Sequence, residues 1–152
     1  MTVAGIDHIA LPTANAERFA TFYAALGFEI HGIDEWRAGL FSIGCGDQKI
    51  NVHPETLEAV RGHPSYLRGD TAEAGCGDLC VVWDGGVDAL LALLDREGVA
   101  PIDGPVPRYG GRGGASTVGI SVYVRDPDHN LLEFISYDPA DVDRHRDAGP
   151  VR

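Results

Sequence analysis

Residues 6–28 read IDHIALPTANAERFATFYAALGF, and this stretch decides the fold. The short apolar run at 6–11 ends at a proline and predicts a β-strand. Thr13 or Asn15 can then cap a helix. Gly27 lies where such a helix would end. Between cap and glycine, apolar side chains recur at intervals of three and four residues, which is typical of the core face of an amphipathic helix: Phe19, Phe22, Tyr23 and Leu26.

Three further strands are predicted after this helix. The first begins at Phe28, the second covers 36–43 and the third covers 49–53. A turn at 44–47 separates the last two strands, because its two glycines and its aspartate are typical turn residues. The first part of the chain therefore has the order β-α-β-β-β.

The second part of the chain repeats this order. Its helix has the same spacing of apolar residues and also ends at a glycine. Such a repetition of one unit of element order indicates two related modules. The predicted elements are a strand at 78–83, a helix with Val87, Leu90, Leu91 and Leu94 on its core face that ends at Gly98, a strand at 99–102, a glycine- and proline-rich loop at 104–114, and strands at 117–125 and 131–137 joined by a turn at 126–130.

These elements predict an α+β fold of two βαβββ modules within a single domain, residues 1–152. The first module covers 4–53, a connector covers 54–77, and the second module covers 78–137. Beyond the second module the chain is rich in Asp and Arg and has no periodicity, so we expect a loose polar tail at 138–152.

Composition narrows the classes of function. Acidic residues outnumber basic ones 23 to 12, and the formal charge of −11 disfavours binding to nucleic acid or to anionic lipid. No basic start is followed by an apolar run, and no apolar stretch is long enough for a membrane span, so we expect neither a signal peptide nor a membrane anchor. Cys45, Cys76 and Cys80 contain no CxxC pair, which indicates free thiols in a cytoplasmic protein.

Strand alternation predicts a polar side chain on the helix-free face of each sheet. His8 lies on the opposite side of its strand from the residues that suit packing under the helix. Asn51 and His53 share one face of a later strand. In the last strand, Glu133 likewise lies opposite its two helix-facing neighbours. Each module therefore offers polar groups to one side of its sheet.

Three of these residues have the chemistry of metal ligands. Glu133 shares its face with a leucine and an isoleucine, and a carboxylate buried there needs a positive partner, hydrogen bonds or a metal. Together with His8 and His53 it makes up a two-histidine, one-carboxylate set, which can hold Fe(II), Mn, Ni or Zn and leaves positions open for substrate. The alternatives are that His53 is an ordinary strand-end histidine and that Glu133 pairs with Arg125. Spacing alone does not bring the three residues together.

Two motifs resemble the two ends of a known superfamily. Residues 7–11 (DHIAL) and 22–28 (FYAALGF) are similar to the opening of the vicinal oxygen chelate superfamily, and 123–133 (YVRDPDHNLLE) is similar to its closing motif. This superfamily includes glyoxalase I, fosfomycin and bleomycin resistance proteins, and extradiol dioxygenases. The resemblance spans 4–137. Three shorter segments resemble a glyoxalase-domain subgroup without an assigned reaction: 48–53, 77–80 and 104–108.

The resemblance implies that the two βαβββ modules curl into a mixed sheet around a cleft, with metal ligands from their first and last strands. His8 and Glu133 match ligand positions. His53 is the ligand implied in the fourth strand, although a shift of two residues would put Asn51 there. Where the superfamily usually has another histidine, this sequence has Asp78, which could ligate the ion, hydrogen-bond a metal-bound water or cap a turn. This departure weakens an assignment as glyoxalase I or as an extradiol dioxygenase.

The implied function is that of a metal-dependent lyase or isomerase, in which a Zn, Ni, Mn or Fe ion chelates neighbouring oxygens of a small substrate. His8, His53 and Glu133 would hold the ion, and Glu133 or Asp78 would move a proton. The alternative is a non-catalytic protein that sequesters a small cationic drug or metabolite, which the charge of −11 would suit. Extradiol dioxygenation is a third, less favoured interpretation. The resemblance also implies a homodimer, with the cleft within one chain or across the interface.

Four residues are expected to contact the substrate. Asn51 and Tyr123 can face the cavity. The glycine-rich segment 110–114 resembles no phosphate-binding loop and is expected to be a flexible flap, near which Arg108 or Arg112 meets an anionic substrate.

Two further positions carry structural expectations. Cys80 lies in an apolar strand, which predicts a core position. His129 stands where the closing motif usually has a glycine, and that turn position generally requires a positive φ.

Overall fold

The computed structural model describes residues 2–32, 41–54, 68–145 and 147. Its element order confirms an α+β fold with two βαβββ arrangements. In chain order the elements are β1 (His8–Thr13), α1 (Ala16–Ala25), β2 (Glu29–His31), β3 (Phe41–Cys45), β4 (Gln48–Pro54), β5 (Asp78–Trp83), α2 (Val87–Arg96), β6 (Asp103–Gly110), α3 (Arg112–Ala115), β7 (Thr117–Arg125), β8 (Leu131–Ser136) and α4 (Pro139–Arg144).

Parts of two sequence predictions fall outside the described residues. These are positions 36–40 of the strand expected at 36–43, and 55–67 of the expected connector. The described chain divides into two compact units. Unit 1 is Met1–Gly77 with Asp126–Asn130, and unit 2 is Asp78–Arg125 with Leu131–Arg152.

Unit 1 contains a four-stranded sheet in the order β1-β4-β3-β2. β1 and β4 run parallel, and the other neighbours run antiparallel. The apolar residues of one sheet face and of α1 form its core, and each such side chain contributes roughly 1.5–3 kcal/mol when fully buried. The buried residues are Leu11, Phe19, Ala20, Tyr23, Leu26, Phe41, Ile43, Ile50 and Val52.

The first helix begins and ends close to where the sequence predicts. The side chain of Asn15 caps it by accepting a hydrogen bond from the Arg18 backbone N–H at 2.9 Å. Gly27, just beyond its end, has a φ of +90°. Phe22 is half-buried rather than fully buried. The expected positive φ at His129 is confirmed, with a value of +69°.

Residues 126–130 connect β7 to β8 and belong to unit 1. Asp126 is 3% exposed and accepts four hydrogen bonds. The donors are the backbone N–H groups of Asp128 and Asn130 at 2.9 Å, the Asn130 side-chain amide at 2.8 Å, and the Tyr23 hydroxyl at 3.1 Å. Burial, with the nearby Asp126 charge, raises the pKa of Tyr23 and keeps its hydroxyl protonated as a donor.

The same turn holds the end of β1 and the start of α1. Asp128 accepts hydrogen bonds from the Thr13 hydroxyl and, at 3.3 Å, from the backbone N–H of Ala14. It also pairs with the Arg18 guanidinium at 3.4 Å. Asn130 accepts a hydrogen bond from the Gly77 backbone N–H at 2.6 Å. A single five-residue turn thus fixes three separate segments of unit 1.

Unit 2 contains a second four-stranded sheet, in the order β5-β8-β7-β6. β5 and β8 run parallel, and the other neighbours run antiparallel. One face of the sheet supplies apolar side chains to a core that it shares with α2, as the sequence predicts for the last strand. The buried residues are Val87, Leu90, Leu94, Ile120, Val122, Val124, Leu132 and Phe134.

The loop expected at 104–114 is wrong for its first part, because Asp103–Gly110 form β6 and pair with β7. β6 is the edge strand of its sheet. An edge strand has one side that needs no hydrogen-bond donors, so Pro105 and Pro107 are tolerated there. Proline content alone therefore misidentified a strand as a loop.

The strand expected at 99–102 is also wrong, because pairing with β7 begins one residue later, at Asp103. Before that point the Ile102 backbone N–H donates a single hydrogen bond to a β7 carbonyl at 2.8 Å. Gly104 is required beside β7. Its φ is +98°, and an added Cβ would lie 2.3 Å from the Ser121 carbonyl oxygen.

The loose tail expected at 138–152 is wrong for α4. Asp138 caps this helix by accepting a hydrogen bond from the N–H two residues on at 2.8 Å, and a proline lies in its first turn. Asp141 is 1% exposed and accepts from the Val87 backbone N–H at 2.7 Å. Arg144 donates to the same carboxylate at 3.0 Å. The sequence did not predict α4 because the helix depends on a tertiary contact: α4 supplies a cap to α2, whose own N-cap residue is a glycine.

Two absences concern the described residues. None of their helices is long and apolar enough to cross a membrane. The three cysteines are free, as the sequence predicts.

The Asp126→Asn variant tests the turn. Asparagine replaces one acceptor oxygen by an NH₂ group that would face other donors, so the free energy of unfolding should fall by about 2–4 kcal/mol. Urea unfolding measures this change. The control is Asp84→Asn, at an exposed position, which should change the free energy by less than about 0.5 kcal/mol. Equal effects of the two substitutions would contradict the role of Asp126.

Candidate functional site

Three predicted residues lie on the helix-free face of the unit 1 sheet, as the alternation along each strand predicts: His8, Asn51 and His53. Asn51 lies 3.4 Å from the Ser42 hydroxyl of the neighbouring strand. His8 is exposed, and its Nδ1 donates to the Asp7 carboxylate at 2.5 Å. That hydrogen bond lowers the pKa of Asp7. A carboxylate that holds one ring nitrogen leaves the other free as a ligand, an arrangement common around metal-bound histidines.

Strand register sets the spacing of these residues. His8 lies opposite Lys49, whereas Asn51 and His53 lie two and four positions further along β4. At about 3.3 Å per residue, His53 is displaced from His8 by about 13 Å along the strands and Asn51 by about 7 Å. Two imidazoles that each bind one ion at about 2.0–2.1 Å do not span the larger distance. Within unit 1 the register therefore favours Asn51, the alternative left open by the sequence, as the partner of His8.

His53 nevertheless has the protonation state of a ligand. It is half-buried, and this burial, together with the positive charge of Arg68, lowers its pKa. The imidazole is therefore neutral at pH 7, and a neutral ring nitrogen is the form that binds metal.

Glu133 lies on the helix-free face of the unit 2 sheet, as predicted, and is half-buried. The Ser121 hydroxyl donates to its Oε1 at 2.5 Å. Strand pairing places Cys80 directly opposite on β5 and Tyr123 directly opposite on β7. None of the ion pairs among the described residues includes Glu133.

The charge of Glu133 raises the pKa of both flanking groups. Burial, with the charge of Glu133 second, raises the pKa of the Cys80 thiol to about 12. The same two causes raise the pKa of Tyr123, against the opposing effect of Arg108. Both neighbours are thus protonated at pH 7, and the carboxylate stays the negative centre of this face. A cation, or a substrate proton, would be stabilised there.

Sequence reasoning missed two neighbours of Glu133. Cys80 is exposed as a residue although its thiol is partly desolvated, and it lies outside the core because its pairing with Glu133 places it on the helix-free face. Ser121 is fully buried, and its role as donor depends on cross-strand pairing that alternation within one strand does not show. Asp78 is exposed and lies opposite Leu131.

The other predicted substrate residues have distinct surroundings. The Nε of Arg108 donates to the Tyr123 hydroxyl at 3.1 Å, and its Nη2 lies 3.5 Å from the Asp103 carboxylate. Arg112 lies beyond the end of β6, with its guanidinium carbon 4.3 Å from the centre of the Tyr137 ring. The two arginines therefore do not form one cluster of equivalent groups.

The donors present fit a divalent ion in chemistry, each considered within its own unit. Glu133 supplies an uncompensated carboxylate, His8 supplies a free ring nitrogen, and His53 is neutral. Among the described residues, however, no three His, Cys, Asp or Glu side chains are grouped closely enough to hold a metal ion.

Comparison with known proteins gives a consistent family. The family model of the Glyoxalase/Bleomycin resistance protein/Dioxygenase superfamily matches residues 5–134. The glyoxalase domain-containing protein RDO1 of Mycosarcoma maydis is 31% identical over 140 residues, which cover 92% of this chain and 72% of that protein. Virulence protein STM3117 of Salmonella typhimurium is 30% identical over 138 residues, which cover 90% of this chain and 87% of that protein.

Solved structures agree on the architecture. The crystal structure of virulence protein STM3117 superposes with a TM-score of 0.76 at 27% identity, covering 91% of this chain and 100% of that one. The lactoylglutathione lyase of Agrobacterium tumefaciens superposes with a TM-score of 0.63 at 19% identity, covering 90% and 96%. The second likeness shows the shared fold.

The pKa of His53 predicts a pH dependence of stability. The pKa of His53 is lower in the folded state than in the unfolded chain, so protonation of His53 favours unfolding. The contribution of neutral His53 to the free energy of unfolding is therefore present above about pH 6.5 and is lost as the pH falls below it. The His53→Gln variant should therefore lose less stability than the wild type between about pH 7.5 and pH 5.5, as measured by urea unfolding. Lys49→Gln, on the same strand, is the control. A variant with wild-type pH dependence would contradict the assignment.

The Cys80 thiol should resist alkylation despite its exposure. With a pKa of about 12, it holds roughly a thousandfold less thiolate at pH 8.5 than an ordinary cysteine. Mass spectrometry after iodoacetamide treatment should find Cys76 modified first. Glu133→Gln should speed the reaction of Cys80, since it removes one of the charges that oppose the thiolate. Rapid alkylation of Cys80 in the wild type would contradict this account.

Proposed function

The chain belongs to the Glyoxalase/Bleomycin resistance protein/Dioxygenase superfamily, and on that premise we propose that it is a glyoxalase-like enzyme, a metal-dependent lyase or isomerase acting on a small molecule. The proposed substrate presents two neighbouring oxygens, as in an α-hydroxycarbonyl compound or a thiol adduct. Glu133 is the residue on which the proposal depends.

One observation carries the proposal: the carboxylate of Glu133 is half-buried without a basic partner among the described residues. The Ser121 hydroxyl donates to one of its oxygens, and the Cys80 thiol and the Tyr123 hydroxyl hydrogen-bond to it from the neighbouring strands. None of these donors carries a positive charge, so no cation balances the charge of the carboxylate in the described part of the chain. Leaving such a group partly desolvated costs free energy in the absence of a ligand, and a cation or a substrate proton would recover it.

The resemblance implies that Glu133 and His8 hold the ion, with His53 or Asn51 as a further ligand. When bound, a divalent ion of zinc, nickel, manganese or iron supplies a Lewis acid that stabilises negative charge on the substrate oxygens. The register within unit 1 supports Asn51 over His53 beside His8. An amide oxygen in this position suits the oxygen-preferring ions of the group.

Other residues of unit 2 orient the Glu133 carboxylate by hydrogen bonds. The hydrogen bonds from Ser121, Cys80 and Tyr123 fix the orientation of the carboxylate on the helix-free face. Tyr123 accepts a hydrogen bond from Arg108 and stays protonated, so its hydroxyl donates to Glu133 and could be turned to a substrate oxygen when Glu133 binds a ligand. A proton taken from the substrate would go to Glu133, or to Asp78 if Glu133 is occupied as a ligand.

A second candidate function is sequestration of a cationic small molecule without catalysis. The uncompensated charge of Glu133 and the formal charge of −11 favour it, since both would attract a positive ligand. Extradiol dioxygenation is the least supported, because Asp78 stands where the resemblance expects a histidine. A homodimer and a cytoplasmic location also belong to the proposal.

Metal content tests the enzyme proposal. The protein is purified without chelator and without a metal-affinity tag, and elemental analysis should find about one divalent ion per chain. Glu133→Gln and His8→Ala should lose it. In the stripped protein, a saturating ion at about 100 times its dissociation constant should add about 2.7 kcal/mol of stability. The thermal midpoint would then rise by about 5–10 °C.

The matched control is Glu73→Gln, which removes one exposed carboxylate and should keep the metal. A protein whose thermal midpoint ignores zinc, nickel, manganese and iron(II) would overturn metal-dependent catalysis. If that same protein is stabilised by small organic cations in a Glu133-dependent way, sequestration is supported instead.

A further inference from the structure

Arg112 is a cation held against an aromatic ring. Its guanidinium carbon lies 4.3 Å from the centre of the Tyr137 ring, a distance typical of a stacked cation–π pair. In the described part of the chain, no hydrogen bond or ion pair of the Arg112 guanidinium to a carboxylate or carbonyl is present. Four other described arginines do pair with carboxylates: Arg18, Arg96, Arg108 and Arg144.

The Tyr137 hydroxyl and the Ile135 side chain lie close to the backbone of two glycines in β6 and β7. A Cβ added at Gly110 would lie 1.8 Å from the Tyr137 hydroxyl oxygen and 2.9 Å from Cδ1 of Ile135. A Cβ added at Gly119 would lie 2.6 Å from the Ile135 side chain. Any side chain at either glycine would therefore displace these groups. The two glycines therefore leave the space that Tyr137 and Ile135 occupy beside β6 and β7.

The segment that carries Arg112 is fixed as well. The Ser116 backbone N–H donates to the Arg112 carbonyl at 3.3 Å, and the Ser116 hydroxyl donates to the Gly113 carbonyl at 2.6 Å. Gly113 and Gly114 have φ values of +59° and +66°. Ala115 follows with a φ of +64°, which is unfavourable for a residue with a side chain. Two hydrogen bonds from Ser116 therefore hold the glycine-rich segment in one conformation, with its strain confined to Ala115.

The sequence predicts the same role, binding an anionic substrate, for Arg108 and Arg112, but the structure gives the two guanidinium groups different partners. All three nitrogens of the Arg108 guanidinium make contacts within the protein. Its Nε donates to the Tyr123 hydroxyl, Nη1 donates to the Pro107 carbonyl at 3.1 Å, and Nη2 pairs with Asp103. Stacking on a ring face, by contrast, leaves the N–H edge of the Arg112 guanidinium available. That edge matches the two oxygens of a carboxylate or a phosphate.

The position of this pair relates it to Glu133. Glu133 and Ile135 alternate along β8 and lie on its helix-free face, and Tyr137 follows the end of the strand with its hydroxyl beside Gly110 of β6. Tyr137 lies one residue beyond the end of β8 and four residues from Glu133, which corresponds to about 13 Å at extended spacing. A small molecule that reacts at Glu133 could therefore place a charged end at Arg112.

We propose that Arg112, stacked on Tyr137, is an oxyanion-binding subsite that takes the carboxylate or phosphate end of the substrate, whereas Arg108 is a positioning residue for Tyr123. This inference rests on the proposed function, because it assigns the substrate an anionic end about 13 Å from the group that reacts. The subsite itself is tested with simple anions and needs no active enzyme.

The test follows the Nε–Hε resonances of ¹⁵N-labelled arginines by NMR at constant ionic strength. The probes are benzoate and phenyl phosphate, with benzamide as the uncharged match of benzoate. Either anion should shift the Arg112 resonance to saturation with at least tenfold tighter binding than benzamide. The Arg96 resonance, from an exposed helix arginine paired with Glu97, should change without saturating. Saturation by benzoate alone assigns a carboxylate, and saturation by phenyl phosphate alone assigns a phosphate.

Variants separate the subsite from general charge effects. Tyr137→Leu should weaken anion binding at least fivefold while the resonance of Arg112 remains observable, and Arg112→Gln should abolish the preference for benzoate over benzamide. Arg96→Gln removes the same charge elsewhere and should leave the preference intact. Failure of both anions to saturate Arg112, or an equal response to benzamide, overturns the inference. Saturation at Arg112 in a protein that binds no metal would instead retain the subsite and overturn only the proposed metal-dependent reaction.

Discussion

A carboxylate removed from water must be given hydrogen-bond donors, and this requirement organises both units of the chain. Asp126 receives four donors, and Asp128 ties its turn to the end of β1 and the start of α1. In unit 2, Asp141 receives a backbone donor from α2 and a guanidinium from α4. Hydrogen bonds to charged groups contribute about 1.5–3 kcal/mol each. These aspartates therefore determine where the helices and turns can lie.

Glu133 departs from this pattern, and the departure is what gives the chain its candidate function. It is half-buried rather than fully buried, and its donors are neutral side chains: the Ser121 hydroxyl and, on the neighbouring strands, the protonated Cys80 thiol and Tyr123 phenol. A buried aspartate with a full set of donors has no reason to bind a ligand. A half-buried carboxylate that has no cationic partner among the described residues, on the face of a sheet that its helix does not cover, has one.

Much of the fold could be predicted from the sequence because local spacing carries it. The three- and four-residue spacing from Phe19 to Leu26 identified the first helix, and the alternation around Glu133 identified its face. Pairing between distant strands could not be predicted. It decides that β6 is an edge strand tolerant of proline, that Cys80 lies beside Glu133, and that Asn51 lies nearer than His53 to the level of His8. Likewise, the different surroundings of two arginines four residues apart depend on which ring and which carboxylate the fold brings to each.

The most direct measurement of the central claim is ¹³C NMR of the side-chain carboxyl carbons during a titration with zinc. The account predicts that the Glu133 signal shifts to saturation, whereas the signals of Asp126, Asp128 and Asp141 stay fixed because their acceptors are already occupied. A Glu133 signal that does not respond to zinc, or buried aspartates that respond as strongly as Glu133, would contradict it.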